Sequence, residues 1–291
     1  MMKKIWCLFV VLLCLYCFAA KAQQKCVMKY KGVDRTYYLY KPDGLSEGAP
    51  LVLVLHGYGG SAAKWKQRMF EVADENGFAV CYPQGEKDAK GKTCWNVGYP
   101  FQKGLRTDDV GFLCALAKHL QKRESLSHDN TFCTGMSNGG EMCYLLAFER
   151  PDVFAALAPI AGLTLSWMMK DLKPSRSVPL MEVHGTSDVV SYWDGDPDNR
   201  YGWGAYMNVP MAVAFWAAQA RCTHEIVERL PLLEGRNQVT LHNYMGGVPA
   251  WKGGPETQVR LYEVAGGNHS WSDKDMDTCA EIWKFFSIYL R

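Results

Sequence analysis

Hydrophobic and polar positions follow two different periods along this chain. Short runs such as Leu51–Leu55 and Phe78–Tyr82 contain no charged residue, which is typical of strands buried on both faces. Segments such as Asp108–Arg123 repeat apolar residues at spacings of three and four, which is typical of amphipathic helices. These patterns predict strands at Thr36–Tyr40, Leu51–Leu55, Phe78–Tyr82, Thr131–Thr134, Phe154–Ile160, Leu180–Val183 and Val259–Val264, and helices at Ser61–Asn76, Asp108–Arg123, Gly139–Glu149, Met211–Ala220 and Met276–Leu290.

Strands that alternate with helices favour parallel strands joined by crossover helices. The pattern therefore predicts an α/β fold, with a mainly parallel central sheet and helices on both of its faces. One stretch interrupts the alternation, because Ser191–Asn208 is rich in Gly, Asp and aromatic residues. A loop of that length inside a compact domain is usually either functional or disordered.

The start of the chain has the pattern of an export signal. Lys3 and Lys4 precede the uncharged apolar run Ile5–Phe18, and Ala20–Ala22 fits the small-x-small cleavage rule. A transmembrane anchor is the alternative, but this run is shorter than the roughly 20 residues that a spanning helix needs. We therefore expect residues 1–22 to be a signal peptide that is cleaved near Ala22, which predicts a secreted or periplasmic protein without a stable membrane anchor.

The amino-acid composition and the formal charge disfavour several classes of protein. The 291 residues are 48% hydrophobic and 21% charged, which disfavours disorder and coiled coil, and a formal charge of +2 offers no basic face for nucleic acid. Loss of the leader leaves residues 23–291, expected to be one domain, with a formal charge of −1 and eight of the 11 cysteines. An oxidising compartment favours some disulfides, although the spacing selects no pairing. Cys81 and Cys133 lie in apolar runs and are expected to be buried thiols.

The pentapeptide Gly135–Gly139 fits the pattern Gly-x-Ser-x-Gly, with Ser137 at its centre between a predicted strand and a predicted helix. In that context the serine lies in a sharp turn, and the helix N-terminus directs N–H groups at a developing oxyanion. A serine hydroxyl is a weak nucleophile at neutral pH, so it needs a base that a carboxylate orients. On this architecture the expected chain order is serine, acid, histidine.

The acid is expected after a later strand. Asp188 is the first carboxylate beyond Leu180–Val183. An aspartate at this position also suits a simple turn. Three further aspartates on the same loop lie farther from the strand end: Asp194, Asp196 and Asp198.

The base is expected in a loop before the last helix. His269 meets this condition, because it follows Val259–Val264 in the glycine-rich segment Gly266–Trp271. The other histidines precede Ser137, lie at a strand end, or have no matching loop: His56, His119, His128, His184, His224 and His242.

An oxyanion hole needs two backbone donors. The N–H of Asn138, directly after the candidate nucleophile, is the expected first donor. The second is expected from the loop His56–Gly60 after the strand Leu51–Leu55, where glycines allow close approach of backbone to substrate. We expect this donor to be the N–H of Tyr58, and His56 to be a structural hydrogen-bonding residue. No metal-ligand spacing is present, so no cofactor or metal is expected.

Several of these segments carry a family signal together: Leu55–Ser61, Trp95–Asn96, Asp108–Phe112, Gly135–Gly140, His184–Asp188 and Gly266–Trp271. They resemble secreted α/β-hydrolase esterases related to polyhydroxybutyrate depolymerases and family 1 carbohydrate esterases, a group that includes feruloyl and acetylxylan esterases. The resemblance covers nearly all of the chain after the leader. It implies an α/β-hydrolase fold, Ser137 as nucleophile, Asp188 as acid, His269 as base, and Tyr58 and Asn138 N–H as the oxyanion hole.

The chain departs from the group's pattern around the base. Asn268 stands where the group often has a third glycine, and Ser270–Ser272 stands where it has Thr-Trp-Pro. Neither change removes a catalytic atom. Trp95, Trp193 and Trp203 fall in predicted loops, where their rings are candidates to stack on a sugar or a phenolic acyl group or to pack the loops instead.

These features predict a serine esterase that acts through an acyl-enzyme, with a polysaccharide or small ester as its partner. Feruloyl or acetyl esters of xylan are the favoured substrates, and a polyhydroxyalkanoate is the alternative. A serine peptidase would share the triad, but peptidases of this fold usually carry an additional gating domain. A non-catalytic carbohydrate-binding protein would keep the aromatic residues but would have no need of the triad.

Overall fold

The structure is a computed structural model that describes residues 23–64 and 69–291. The expected signal peptide, residues 1–22, lies outside the described residues, as do residues 65–68 within the predicted helix Ser61–Asn76. Among the described residues, no helix combines the length and the apolar character needed to cross a bilayer.

The described chain contains twelve strands and six α-helices, with short 3-10 helices at Ala62–Lys64 and Pro100–Gln102. The strands are β1 (Gln24–Tyr30), β2 (Val33–Tyr40), β3 (Leu51–Leu55), β4 (Ala79–Pro83), β5 (Glu86–Lys87), β6 (Thr93–Cys94), β7 (Thr131–Met136), β8 (Ala156–Ile160), β9 (Leu180–Gly185), β10 (His224–Arg229), β11 (Val239–Met245) and β12 (Val259–Val264). The helices are α1 (Met69–Asn76), α2 (Asp109–Arg123), α3 (Asn138–Glu149), α4 (Ser166–Asp171), α5 (Val209–Gln219) and α6 (Thr278–Ser287).

Ten of these strands form one sheet, in the order β1-β2-β4-β3-β7-β8-β9-β12-β11-β10. Neighbouring strands from β4 to β12 are parallel. The outer pairs at both ends are antiparallel. The mainly parallel sheet is therefore confirmed, and the antiparallel strands β1, β10 and β11 extend it beyond the predicted set. Strands β5 and β6 form a separate small hairpin.

Side-chain alternation along the central strands divides the core into two layers. In β3, Leu51, Leu53 and Leu55 join one buried cluster, whereas Val52 and Val54 join the other. Helices α2, α3 and α5 contribute to the first cluster, and α1 and α6 to the second. Helices therefore cover both faces, as the sequence predicts.

The cysteines differ from the expectation of disulfides. All eight in the described residues are free thiols, and Cys81 and Cys133 are fully buried, as predicted. The sulfur atoms of Cys133 and Cys143 are 3.8 Å apart, well beyond the roughly 2.05 Å of a disulfide bond. Burial in apolar strands and helices, rather than covalent linkage, explains where these small side chains lie.

Candidate active site

Ser137 is the single residue between β7 and α3, and its backbone has φ 54° and ψ −124°. This conformation is sparsely populated by residues with a side chain, so the surroundings must hold it. The Ser137 N–H donates to the Ile160 carbonyl at 2.8 Å, and the Ser137 carbonyl accepts from the Glu141 N–H at 2.9 Å. The turn is the sharp strand-to-helix connection that the sequence pattern predicts.

The glycines on either side of this turn allow three chain segments to meet. A Cβ atom on Gly135 would lie 2.6 Å from the Gly139 carbonyl oxygen, and one on Gly139 would lie 2.5 Å from the Leu55 carbonyl oxygen. Real Cβ contacts are not this short, so larger residues would force β3, β7 and α3 apart. The glycines of the motif are therefore required by close packing at the turn.

Asp188 and His269 form a hydrogen-bonded pair in the loops after β9 and β12. The His269 Nδ1 donates to Asp188 Oδ2 at 2.7 Å. The other carboxylate oxygen, Oδ1, accepts the N–H groups of Val190 at 2.7 Å and Ser191 at 2.8 Å. With the proton fixed on Nδ1, the Nε2 of His269 is the ring nitrogen that can accept a proton.

The two loops that carry this pair are packed directly on each other. Ser187 N–H donates to the Gly267 carbonyl at 2.9 Å, and Gly266 N–H donates to Thr186 Oγ1 at 2.8 Å. Because β7, β9 and β12 are parallel members of one sheet, their carboxyl ends share one edge. The fold therefore places Ser137, Asp188 and His269 at the same edge.

The three alternative aspartates have other positions. Asp196 accepts the N–H groups of Arg200 at 2.9 Å and Tyr201 at 3.0 Å, so it stabilises its own loop. Asp198 forms an exposed ion pair with Arg200 at 2.6 Å, and Asp194 is exposed. Asp188 is the carboxylate on this loop that bonds the histidine.

The loop after β3 lies against the candidate nucleophile. A Cβ atom on Gly57 would be 3.9 Å from Ser137 Oγ, which places Tyr58, the next residue, at the rim of the site. The Tyr58 hydroxyl donates to Asp88 Oδ2 at 2.5 Å, which anchors this loop to the β5–β6 hairpin.

His56 is a structural residue, as predicted. Its Nε2 accepts from the N–H of Gly85 and from Gln84 Nε2, both at 2.9 Å, so Nδ1 carries the proton and donates to the Gly57 carbonyl at 2.8 Å. Burial lowers the pKa of His56. The ring is therefore neutral and braces the loop.

Two hydrogen bonds join the Asn138 side chain to the Trp95 backbone beneath the site. Asn138 Oδ1 accepts the Trp95 N–H at 2.7 Å, and Asn138 Nδ2 donates to the Trp95 carbonyl at 3.1 Å. The Trp95 indole donates to the His56 carbonyl at 2.9 Å, and its side chain is fully buried. The prediction that Trp95 contacts substrate is therefore wrong, because its ring has no exposed face and instead supports the loop His56–Gly60.

The other two tryptophans remain candidates for substrate contact. Trp203 is half-buried and lies edge-on to the rings of Tyr58, Tyr99 and Phe101, with centroids 5.3–5.7 Å apart. Trp193 is half-buried, 6.1 Å from the His184 ring. Trp203 thus belongs to an aromatic cluster beside the loop that carries the expected oxyanion donor.

Two buried carboxyl groups behind the pair, those of Glu182 and Glu141, are absent from the sequence prediction. Glu182 Oε2 accepts from the Tyr144 hydroxyl at 2.8 Å, and Glu182 Oε1 contacts His184 Nδ1 at 2.8 Å. Glu141 accepts from the Tyr99 hydroxyl, and burial raises the pKa of Glu141 to about 8. The sequence did contain a signal for them, because each is a charged residue inside a largely apolar strand or helix. Such residues are rarely buried without a partner.

A family model described as esterase PHB depolymerase matches residues 35–208. The putative esterase NocK of Nocardia uniformis is 34% identical over 172 residues, which is 56% of this chain and 48% of that protein. Feruloyl esterase B of Piromyces equi is 29% identical over 81% of this chain and 42% of its own length. Poly(3-hydroxyalkanoate) depolymerase C of Paucimonas lemoignei is 25% identical over 80% of this chain and 57% of its own length. The chain thus spans about half the length of these relatives.

Solved structures share the fold at low sequence identity. An acetyl xylan esterase from Aspergillus awamori superposes with a TM-score of 0.64 at 15% identity, covering 92% of this chain and 99% of that one. A Pyrococcus horikoshii acylaminoacyl peptidase gives 0.55 at 13% identity, covering 91% of this chain and 41% of the peptidase. These likenesses establish the α/β-hydrolase fold that the sequence predicts.

Proposed function

Because this chain belongs to the esterase PHB depolymerase family, we propose that it is a serine hydrolase of carboxylic esters. The observation that supports the proposal most strongly is the hydrogen bond between Asp188 and His269, 2.7 Å long, at the sheet edge that also carries Ser137 in its strained turn. This arrangement supplies a nucleophile, a base and the carboxylate that orients the base.

In the first step, His269 Nε2 accepts the proton of Ser137 as the serine oxygen attacks the ester carbonyl. The Asp188 carboxylate stabilises the imidazolium that forms. We assign the oxyanion to the N–H groups of Tyr58 and Asn138, the latter in the first turn of α3 where a helix has no internal acceptor for it. Proton return from His269 releases the alcohol and leaves an acyl-enzyme, which water hydrolyses by the same steps.

The substrates we propose are feruloyl or acetyl esters of plant cell-wall xylan. Relatives with these activities in their names support this choice, among them feruloyl esterase B of Piromyces equi and a bifunctional acetylxylan esterase/xylanase of Neocallimastix patriciarum. The aromatic cluster around Trp203 supports it as well, since aromatic faces suit sugar rings and phenolic acyl groups. We also propose export, with cleavage of residues 1–22 before the enzyme meets such polymers.

A polyhydroxyalkanoate depolymerase is the second candidate. The description of the matching family and the Paucimonas lemoignei relative favour it. Both candidates use the same acyl-enzyme chemistry, so the choice between them concerns the alcohol and acyl groups alone.

The test compares the wild type with Ser137→Ala on methyl ferulate, acetylated xylan, hydroxybutyrate oligomers and a peptide amide. We expect Ser137→Ala to lower ester hydrolysis by about 10³-fold or more, because the nucleophile is removed. Ser287→Ala is the matched control, since Ser287 lies on the outer helix α6 and is exposed. Ester cleavage that persists in Ser137→Ala would rule out the serine mechanism, and cleavage of hydroxybutyrate oligomers alone would replace the xylan proposal with the depolymerase one.

A further inference from the structure

Two buried histidines, His56 and His184, lie at the ends of strands β3 and β9, and each precedes a glycine. Their hydrogen-bond surroundings are opposite. His56 Nε2 accepts two N–H groups, which only a neutral ring can do. His184 Nε2 instead faces the carbonyl oxygen of Ser191 at 2.8 Å, and a carbonyl can only accept. The Nε2 of His184 therefore carries a hydrogen.

The other nitrogen of His184 faces a carboxylate. Its Nδ1 is 2.8 Å from Glu182 Oε1. That oxygen also accepts the Gly162 N–H at 3.1 Å, and Oε2 accepts the Tyr144 hydroxyl at 2.8 Å. Burial raises the pKa of Glu182, and two donors that do not depend on His184, the Gly162 N–H and the Tyr144 hydroxyl, oppose that rise. An ionised Glu182 then draws a proton onto Nδ1 of His184 as well.

The charge of His184 would act directly on the acid of the site. Its Nε2 is 3.6 Å from Asp188 Oδ2, and both side chains are fully buried. Asp188 Oδ2 is also the atom that accepts from His269 Nδ1 at 2.7 Å. One carboxylate oxygen thus lies between two imidazole rings, in surroundings that screen charge weakly.

We propose that His184 is a buried imidazolium at neutral pH and acts as a positioning residue for Asp188, an inference that rests on the proposed hydrolase function. A fixed positive charge at this distance favours the ionised form of Asp188. It also repels a second positive charge on His269, the base of the proposed mechanism.

The other titratable groups around His184 leave this charge balance intact. Glu141, on α3, has its pKa raised to about 8 by burial and is protonated at neutral pH. Burial also raises the pKa values of Tyr144 and Tyr206, so both are neutral. Glu263, the register neighbour of His184 on β12, lies 3.5 Å from His242 on β11.

Burial by itself lowers the pKa of His184, but the bond and charge of Glu182 outweigh it, with smaller contributions from Ser191 and Asp188. The pKa of His184 therefore ends above its ordinary value, which agrees with the hydrogen-bond geometry.

The direct test is ¹⁵N NMR of the histidine side chains in the wild-type chain, with His184 assigned by the signals lost in His184→Gln. We expect both ring nitrogens of His184 to be protonated from pH 6 to pH 8. His56 is the internal control and should show one protonated and one bare nitrogen. A single protonated nitrogen on His184 in this range would overturn the proposal, whatever the enzyme does to esters.

A kinetic test measures whether the charge of His184 affects His269. In His184→Gln we expect the acidic limb of kcat/KM for methyl ferulate, which reports His269, to move up by about 0.5–1 pH unit, because a nearby positive charge is lost. His128→Gln is the matched control, since His128 lies in the loop before β7, away from the site, and it should leave the limb unchanged.

A lower rate in His184→Gln at every pH, with an unmoved limb, would mean a purely structural role and would contradict the proposal. Failure of the hydrolase function has a different signature, namely ester cleavage that survives in Ser137→Ala. The NMR result decides the protonation of His184 in either case.

Discussion

Asp188 is held in place by donors on both carboxylate oxygens. Oδ1 accepts the N–H groups of Val190 and Ser191, and Oδ2 accepts from His269. The backbone donors fix the carboxylate before any substrate binds, so the proposed mechanism does not require the orientation of His269 to be established during the reaction. Preorganisation of this kind is a large part of what an active site contributes to rate.

Asp188→Asn tests this role of the carboxylate. The amide can keep a hydrogen bond at Oδ1, but its NH₂ group would face His269 Nδ1 and favour the wrong tautomer of the ring. We expect kcat for methyl ferulate to fall by about 10³–10⁴-fold with little change in KM. Asp198→Asn is the control, because Asp198 is exposed and forms an ion pair with Arg200 instead of a bond to His269. Equal loss in both variants would show that the effect is not specific to Asp188.

Because Glu141 is buried, we expect the free energy of unfolding to depend on pH. Burial raises the pKa of Glu141 from an ordinary 4.5 to about 8, so folding favours its protonated form. Stability from this group is complete below pH 4.5 and is lost as the pH rises to about 8. Each tenfold change in a protonation equilibrium corresponds to ~1.4 kcal/mol, so the loss amounts to a few kcal/mol.

Glu141→Gln should remove this dependence, since an amide does not ionise. The free energy of unfolding is measured in urea at pH 5 and at pH 8. We expect its decrease from pH 5 to pH 8 to be smaller in the variant than in the wild type, by a few kcal/mol. An identical change in both proteins would show that Glu141 is not the group responsible.

At the scale of elements, the connection from β7 to α3 depends on close contact with β3. Gly139→Ala would place a Cβ atom 2.5 Å from the Leu55 carbonyl oxygen. We expect it to lower the free energy of unfolding by at least about 2 kcal/mol, because backbone must move to relieve the clash. The measurement is chemical unfolding together with ester hydrolysis.

Gly44→Ala provides the comparison. Gly44 has φ +69° and open space where a Cβ atom would stand, so backbone conformation is its principal constraint. We expect a smaller loss, about 1 kcal/mol, with hydrolysis unchanged. Similar losses of stability in the two variants would show that contact with β3 is not what requires a glycine at position 139.

The central strands could be predicted from sequence because both of their faces are buried. The prediction for Leu51–Leu55 matches β3, and that for Val259–Val264 matches β12. Strand β10 could not be predicted, since it forms the sheet edge and all six of its residues are exposed, which removes the apolar period. The same reason explains β1, whose pattern is mostly exposed or half-buried.

The site follows the same division. Ser137, Asp188 and His269 could be proposed from the sequence because each follows a strand in a recognisable loop, and chain order separated them from alternatives; the structure brings Asp188 and His269 into contact. Glu182 was not predicted, and the contacts of His184 could not be, because a strand prediction treats their positions as core. Their partners come from the segment after β8, from α3 and from a later loop. Trp95 was misassigned because a loop position does not reveal whether a ring faces solvent or, as here, the interior.

At the scale of the whole molecule, the described residues build a ten-stranded sheet without covalent links between its strands. All eight cysteines of the described residues are free, and seven of them are buried. We expect thiol titration of the denatured, unreduced protein to give eight thiols per chain after loss of the leader, and reductant to leave the unfolding temperature unchanged. Fewer thiols would mean that disulfides form on export, with Cys133 and Cys143 the first pair to examine.

The fold itself is shared by esterases and peptidases, as the Aspergillus awamori and Pyrococcus horikoshii structures illustrate. Fold alone therefore does not select the reaction, which depends on the chemistry at one sheet edge. The proposed mechanism requires Ser137 to carry the acyl group of an ester between two half-reactions.

Rapid acid quench of the enzyme with methyl ferulate, followed by mass spectrometry of its peptides, detects such an acyl-enzyme. We expect a feruloyl group on the peptide that contains Ser137, formed within the first turnover and absent in Ser137→Ala. An acyl group on a different residue, or hydrolysis at the wild-type rate in Ser137→Ala, would contradict the proposed mechanism.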